Sequence, residues 1–321
     1  MTCACPTILF ALTVLFACTS AAHAQELAVD QTGPSPTGEH DAASTRTAEF
    51  IGPIGSVFLP GVGQALHRDW LGGSIYQGMF VAGWTVSRTA LDGRQVSVSD
   101  FATFDGRTEL GVWALQLRTT AGSLSAYDAF QRALPRLQQA GKYAFVRESD
   151  TVTSLIRAPG DFHFLKDPAT YVPLALVTVV SFARRVAGPT TGHEFTPTAA
   201  HDVAFSAGLA YNAGVGEEML FRGYLLPVLR QHLGDRAWTA NELQAAAFAA
   251  AHGDFSPSGL AAHFGFGLYS GFLVARNRGS LKQAVFNHFI WDLVAASGSF
   301  LTRQRDRTEG QLVLPPIVIT F

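Results

Sequence analysis

The sequence predicts an all-α fold, a multi-pass transmembrane helical bundle with an N-terminal helical hairpin and a helical aqueous insert, and three observations carry that prediction. Hydrophobic residues make up 48% of the 321 residues and charged residues only 15%, well below the roughly 25% charged of an average soluble protein, and mean hydropathy is +0.18. Apolar segments recur through the second half of the chain, at 171–186, 199–215, 219–229, 243–252, 259–275 and 281–301. Several of them carry His, Asn, Asp or Glu, and ionisable groups at membrane depth usually face a bundle interior or watery cavity and mark function. Lipid admits only helices and closed barrels, and four-residue spacings among the polar groups fit helices.

From the N-terminus, residues 1–24 read as an export signal: an apolar stretch at 8–17, then Ala22-His23-Ala24, an A-x-A type cleavage site before Gln25. The opening Lys or Arg of such a signal is missing, the first basic side chain being Arg46. Two rival readings stand beside it. One is an uncleaved first span, for which the apolar run is short of the roughly 20 residues required; the other makes Cys18 a lipidated N-terminus, against which the bulky Phe16 counts. Cys3, Cys5 and Cys18 are all the cysteines, so removing this segment excludes disulfides, thiolate catalysis and Cys-ligated metal together.

Residues 25–49 are rich in Pro, Gly, Ser and Thr and read as a disordered linker. A small-residue hairpin at 50–90 follows, its first arm interrupted by Pro53, Pro60, Gly61 and Gly63; Gly72, Gly73, Gly78 and Gly83 suit close helix contact in lipid. From 91 to 168 the charges spread out while Trp113, Leu117, Leu124, Tyr127 and Leu134 recur at near-helical spacing, the pattern of an aqueous or interface-lying insert with a structural or substrate-docking role. Residues 169–302 form the polar-bearing bundle, and 303–321 a tail. Basic clusters fall at successive connections, so they set no orientation. A formal net charge of -2 leaves no basic excess to neutralise phosphates, which excludes nucleic acid as an expected partner.

The densest polar signal is residues 216–223, Gly-Glu-Glu-Met-Leu-Phe-Arg-Gly. On a helix Glu218 and Arg222 stack four apart and pair, leaving Glu217 free to face elsewhere as a general base. A buried charge triad that only fixes packing is the plainer alternative. Phe248 and His252 lie one turn apart on an alanine-rich helix, where a core histidine would also be ordinary. His288 and Asp292 share a helical face, where Asp292 either holds the imidazole in one tautomer or meets the substrate; a polar pair joining helices is again the plainer reading. Together they supply one base, two imidazoles and a supporting acid, enough to activate a water and stabilise an oxyanion, with or without a metal. His193, His201, His232 and His263 lack such partners and read as loop, helix-end or core residues.

E-E-x-x-x-R at Glu217 to Arg222, F-x-x-x-H at Phe248 to His252 and H-x-x-x-[N/D] at His288 to Asp292, taken in order, resemble the CAAX protease and bacteriocin-processing enzyme (CPBP) family. That family includes type II CAAX prenyl endopeptidases. The resemblance covers roughly residues 171–301 and implies a helical intramembrane bundle hydrolysing peptide bonds in or near the bilayer. It implies Glu217 as the catalytic glutamate, His252, His288 and Asp292 as active-site residues, and Glu218, Arg222 and Phe248 in support. The family has been described as metal-dependent and as a metal-free glutamate protease, so zinc held by His252, His288 and Glu217 stays open; the familiar H-E-x-x-H spacing is absent. Expected partners are a protein or peptide substrate and the lipid bilayer. The export signal points to a bacterial inner membrane, where prenylated substrates are not implied. The rival functions are a non-catalytic membrane immunity or scaffold protein, and a proton or ion carrier using the same polar bundle.

Overall fold

The computed structural model describes residues 47–94, 96, 104–186, 200–234 and 236–302. The expected signal at 1–24, most of the expected linker and the tail at 303–321 lie outside them. Among the described residues every regular element is helical. A π-helical turn, Thr47–Ile51, leads into α1 (Gly52–Phe58), α2 (Val62–Leu66) and α3 (Trp70–Leu91); α4 (Gly106–Gln139) follows, then α5 (Val152–Arg157) and two 3₁₀ turns. Then come α6 (Pro168–Val186), α7 (Ala200–Glu217), a π-helical segment Glu218–Leu225, α8 (Leu226–His232), α9 (Ala237–Ala251), α10 (Pro257–Arg276) and α11 (Lys282–Thr302).

Local chemistry accounts for the boundaries. Gly61 takes φ +99° at the reversal into α2, a conformation that strains any residue with a Cβ. Asp69, Asp105 and Ser256 cap α3, α4 and α10, accepting from the backbone N–H of Gly72 at 3.0 Å, Thr108 at 2.7 Å and Gly259 at 3.1 Å. Pro257 occupies the first turn of α10, where its missing N–H costs nothing.

Within residues 91–168, expected as an aqueous or interface-lying insert, much of the long helix α4 is buried against its neighbours. Ala121, Ala126 and Phe130 are fully buried and Tyr127 nearly so. The charges that suggested solvent leave residues 119–127 uncharged, and small residues there admit neighbouring backbones. A Cβ on Gly122 would stand 2.5 Å from the Val57 carbonyl oxygen of α1, and one on Gly216 would touch Thr120 from α7. The π turn before α1 departs from the expected linker as well. Glu49 is fully buried, its carboxylate accepting from Tyr143 Oη at 2.6 Å and Lys142 Nζ at 3.0 Å and lying 2.8 Å from His232 Nε2. Composition could not reveal this, because Tyr143 and His232 lie 94 and 183 positions away.

Burial alone would push the Glu49 carboxyl up, but the hydrogen bonds from His232, Tyr143 and Lys142 outweigh it and hold the group below its ordinary range. A depressed folded value means the carboxylate stabilises the fold above the ordinary glutamate range and loses that contribution as pH falls through the folded value. Glu49→Gln should therefore unfold more readily than wild type at neutral pH. The gap between their denaturation midpoints should close as the medium is acidified; a gap that persists in acid would contradict this.

One helix among the described residues, α10, is long and apolar enough to cross a membrane; the apolar part of α6, Pro168–Val179, is shorter. Large apolar side chains nevertheless stand on the surface, among them Trp70, Leu71 and Trp84 of α3, Val172, Leu176 and Val179 of α6, and Phe272 of α10. Beneath them, Tyr127, Val215, Met219, Leu273 and Val285 form one core, and Phe221, Leu225, Leu229 and Phe248 another.

Candidate active site

The segment after α7 widens into a π-helix over Glu218–Leu225, where an α-helix was expected. Such turns carry an extra residue and are frequent at functional sites. The expected pair forms: Arg222 Nη1 lies 3.1 Å from Glu218 Oε1, both side chains fully buried. The Arg222 guanidinium sits 4.2 Å from the centre of the Phe248 ring, so an aromatic face and a carboxylate together compensate a charge withdrawn from water. Glu217, ending α7, does not share in that pair. Its Oε2 is buried without a hydrogen-bond partner among the described residues.

Two imidazoles approach that oxygen from different helices. His252 caps α9, and its Nδ1 donates to the Phe248 carbonyl one turn back at 2.8 Å; a carbonyl only accepts, so the proton is on Nδ1. That leaves Nε2 facing Glu217 Oε2 at 3.6 Å. His288 of α11 is held at Nδ1 by Glu218 Oε1 at 2.8 Å, and its Nε2 stands 3.8 Å from Glu217 Oε2 and 3.4 Å from Asp292 Oδ2. Carboxylates thus flank both ring nitrogens of His288, Glu218 at Nδ1 and Asp292 near Nε2, an arrangement that favours a proton on each. Asp292 is left on the side of the ring that faces Glu217. Glu218 thus does two jobs, pairing Arg222 and orienting His288, and the second spans 70 positions of sequence, beyond the reach of local spacing.

The structure adds His263 of α10, whose ring stacks on His252 with centroids 4.1 Å apart. Its helical position gave no sign of that contact. Asp254, just after His252, accepts from the Ser256 N–H at 3.0 Å, a local turn bond typical of Asp. His232 joins the Glu49 cluster. The side chain of His201 and all of His193 lie outside the described residues.

A cavity of about 160 Å³ opens beside Glu217 and His252, larger than a single water needs. Its other wall comes from α4, through Gln116, Thr119, Thr120 and Ser123, a polar stripe at helical spacing that the sequence reading passed over. As for zinc, a tetrahedral ion with bonds near 2.0–2.1 Å needs N and O donors roughly 3.3 Å apart. The two Nε2 atoms stand 3.6 and 3.8 Å from Glu217 Oε2, and no group of three or more His, Cys, Asp or Glu among the described residues is arranged to hold an ion.

Residues 199–294 match the family model described as type II CAAX prenyl endopeptidase Rce1-like, in agreement with the resemblance read from the motifs. The matched segment runs from α7 into α11 and contains Glu217, Glu218, Arg222, Phe248, His252, His288 and Asp292; α4 and α6 lie outside it. No curated protein and no solved structure matches the chain.

Proposed function

We propose that the Rce1-like segment makes this chain a membrane endopeptidase, hydrolysing a peptide bond within or beside the bilayer. The observation that carries the reading is the placement of Glu217 Oε2, unpartnered, at 3.6 Å from His252 Nε2 and 3.8 Å from His288 Nε2, beside a cavity and inside the matched segment. The surface apolar residues on α3, α6 and α10 support a lipid-facing exterior; in this reading several helices cross together, at a bacterial inner membrane.

In this mechanism Glu217, with His252 beside it, removes a proton from water as the water oxygen bonds to the substrate carbonyl carbon. His288, carrying a proton on Nε2 and backed by Asp292, donates to the oxyanion that forms. The tetrahedral intermediate collapses as the C–N bond breaks, and the proton held by Glu217 passes to the departing amine. Each histidine is aimed through its far nitrogen, His252 by the Phe248 carbonyl and His288 by Glu218, so neither ring must reorient during the reaction. The supporting test is cleavage of a complex peptide pool by purified protein in proteoliposomes, read as new N-termini. Ends formed by wild type and not by Glu217→Gln support the reading; no such ends would sink it.

The donor spacing, 3.6 and 3.8 Å where a tetrahedral zinc needs roughly 3.3 Å, favours the metal-free form of the reaction. Elemental analysis of wild type against a His252→Ala, His288→Ala double variant should give equal metal content. An equivalent lost with the histidines would reverse that reading.

A further inference from the structure

We infer that Gln116 of α4 is a substrate-positioning residue that hydrogen-bonds the main chain of an unwound peptide beside Glu217. The inference rests on the endopeptidase reading and extends it to a helix outside the matched family segment. Gln116 is 2% exposed and lines the cavity shared by Glu217 and His252. Neither its Nε2 nor its Oε1 has a hydrogen-bond partner among the described residues. The other polar groups on this wall are already occupied. Thr119 Oγ1 donates to the Gln116 carbonyl at 2.8 Å, Ser123 Oγ to the Thr119 carbonyl at 3.3 Å and Thr120 Oγ1 to the Asn212 carbonyl at 3.4 Å. The carboxamide is therefore the group on α4 with donors and an acceptor still to satisfy.

Leaving a buried amide unpaired is costly, which makes an unpartnered one at a cavity wall a candidate for pairing with whatever enters. A planar carboxamide presents N–H and C=O side by side, the complement of a peptide's own C=O and N–H. A helical substrate cannot use it, because helical main-chain groups are bonded to each other. The substrate segment at the site is accordingly extended or unwound.

Gln116→Met keeps the length of the side chain and removes both hydrogen-bonding groups. On a peptide identified by cleavage with wild type, the variant should show kcat/KM lowered about tenfold, mostly through KM, the scale of one or two lost hydrogen bonds. Its thermal midpoint should equal or exceed that of wild type, since an apolar group replaces an unsatisfied polar one. A merely structural role predicts the opposite, a lowered midpoint together with the lost activity. N-methylation along the peptide gives a second reading: one methylated amide near the cut should impair wild type and have no further effect on Gln116→Met. Unchanged KM in Gln116→Met, a fallen midpoint, or methylation effects identical in both proteins would overturn the inference while leaving the endopeptidase reading standing. Failure of wild type to cut any peptide would remove both.

Discussion

Glu217→Gln should lower peptide-bond cleavage by about 100- to 10,000-fold, the range attributed to a positioned general base, with little change in folding. Gln preserves the size of the side chain and keeps an oxygen near His252 Nε2 and His288 Nε2, yet its amide has no affinity for a proton from water. Because Glu217 pairs with no arginine and its Oε2 has no hydrogen-bond partner, neutralising it strands no cation. Steady-state turnover in detergent or proteoliposomes, set beside the unfolding midpoint, checks both halves. A variant that retains turnover would remove Glu217 from the chemistry; one that fails to fold would return it to the plainer reading of a packing triad.

Arg222→Leu should have the largest effect on stability, a loss of about 3–5 kcal/mol. That is a sizeable share of the roughly 5–15 kcal/mol that holds a typical domain folded. Both members of the pair are fully buried at 3.1 Å, so deleting the guanidinium leaves the Glu218 charge in the interior with the imidazole of His288 as its nearby partner. The Phe248 face, 4.2 Å from the guanidinium, loses its cation too. Replacing both residues by Met should recover much of the stability, as apolar substitutes for buried ion pairs often do. Activity should not recover with it, because Glu218 also holds His288 at Nδ1. Denaturation midpoints and turnover, measured on the single and the double variant, separate these two duties. Equal recovery of both would show that Glu218 does not orient the histidine.

Much of the site was legible because it is built from short-range spacing on helices. Glu218 and Arg222, Phe248 and His252, and His288 and Asp292 each lie four apart, and each couple is in contact or near contact in the fold. What local spacing could not reveal are bonds between distant segments. Glu218 to His288, His252 on His263 and Glu49 with Tyr143 and His232 all depend on how the helices pack. The π-helix at Glu218–Leu225 was missed for a related reason: no residue in Glu-Met-Leu-Phe-Arg-Gly-Tyr-Leu forbids an α-helix, and the wider turn arises among mostly buried neighbours. The burial of α4 was hidden in composition averaged over a long window. Charges on both sides, from Arg107 to Arg118 and from Asp128 to Arg136, concealed the uncharged stretch 119–127, whose small residues carry neighbouring helices and which shares with Gln116 a polar stripe along a wall of the cavity. The all-helical architecture followed from the apolar segments, whereas the number of membrane crossings did not, since composition alone separates lipid-facing from buried helices poorly.

The central claim is that this chain cuts peptides by means of Glu217. Its most direct test is a census of newly formed peptide ends in membrane fractions from cells making wild type, cells making Glu217→Gln and cells lacking the protein. The endopeptidase reading predicts a set of ends found only with wild type, whose sequences would name the substrate. Ends restored equally by Glu217→Gln, or no ends that depend on the protein, would contradict it and leave an immunity, scaffold or ion-carrying role for the polar bundle.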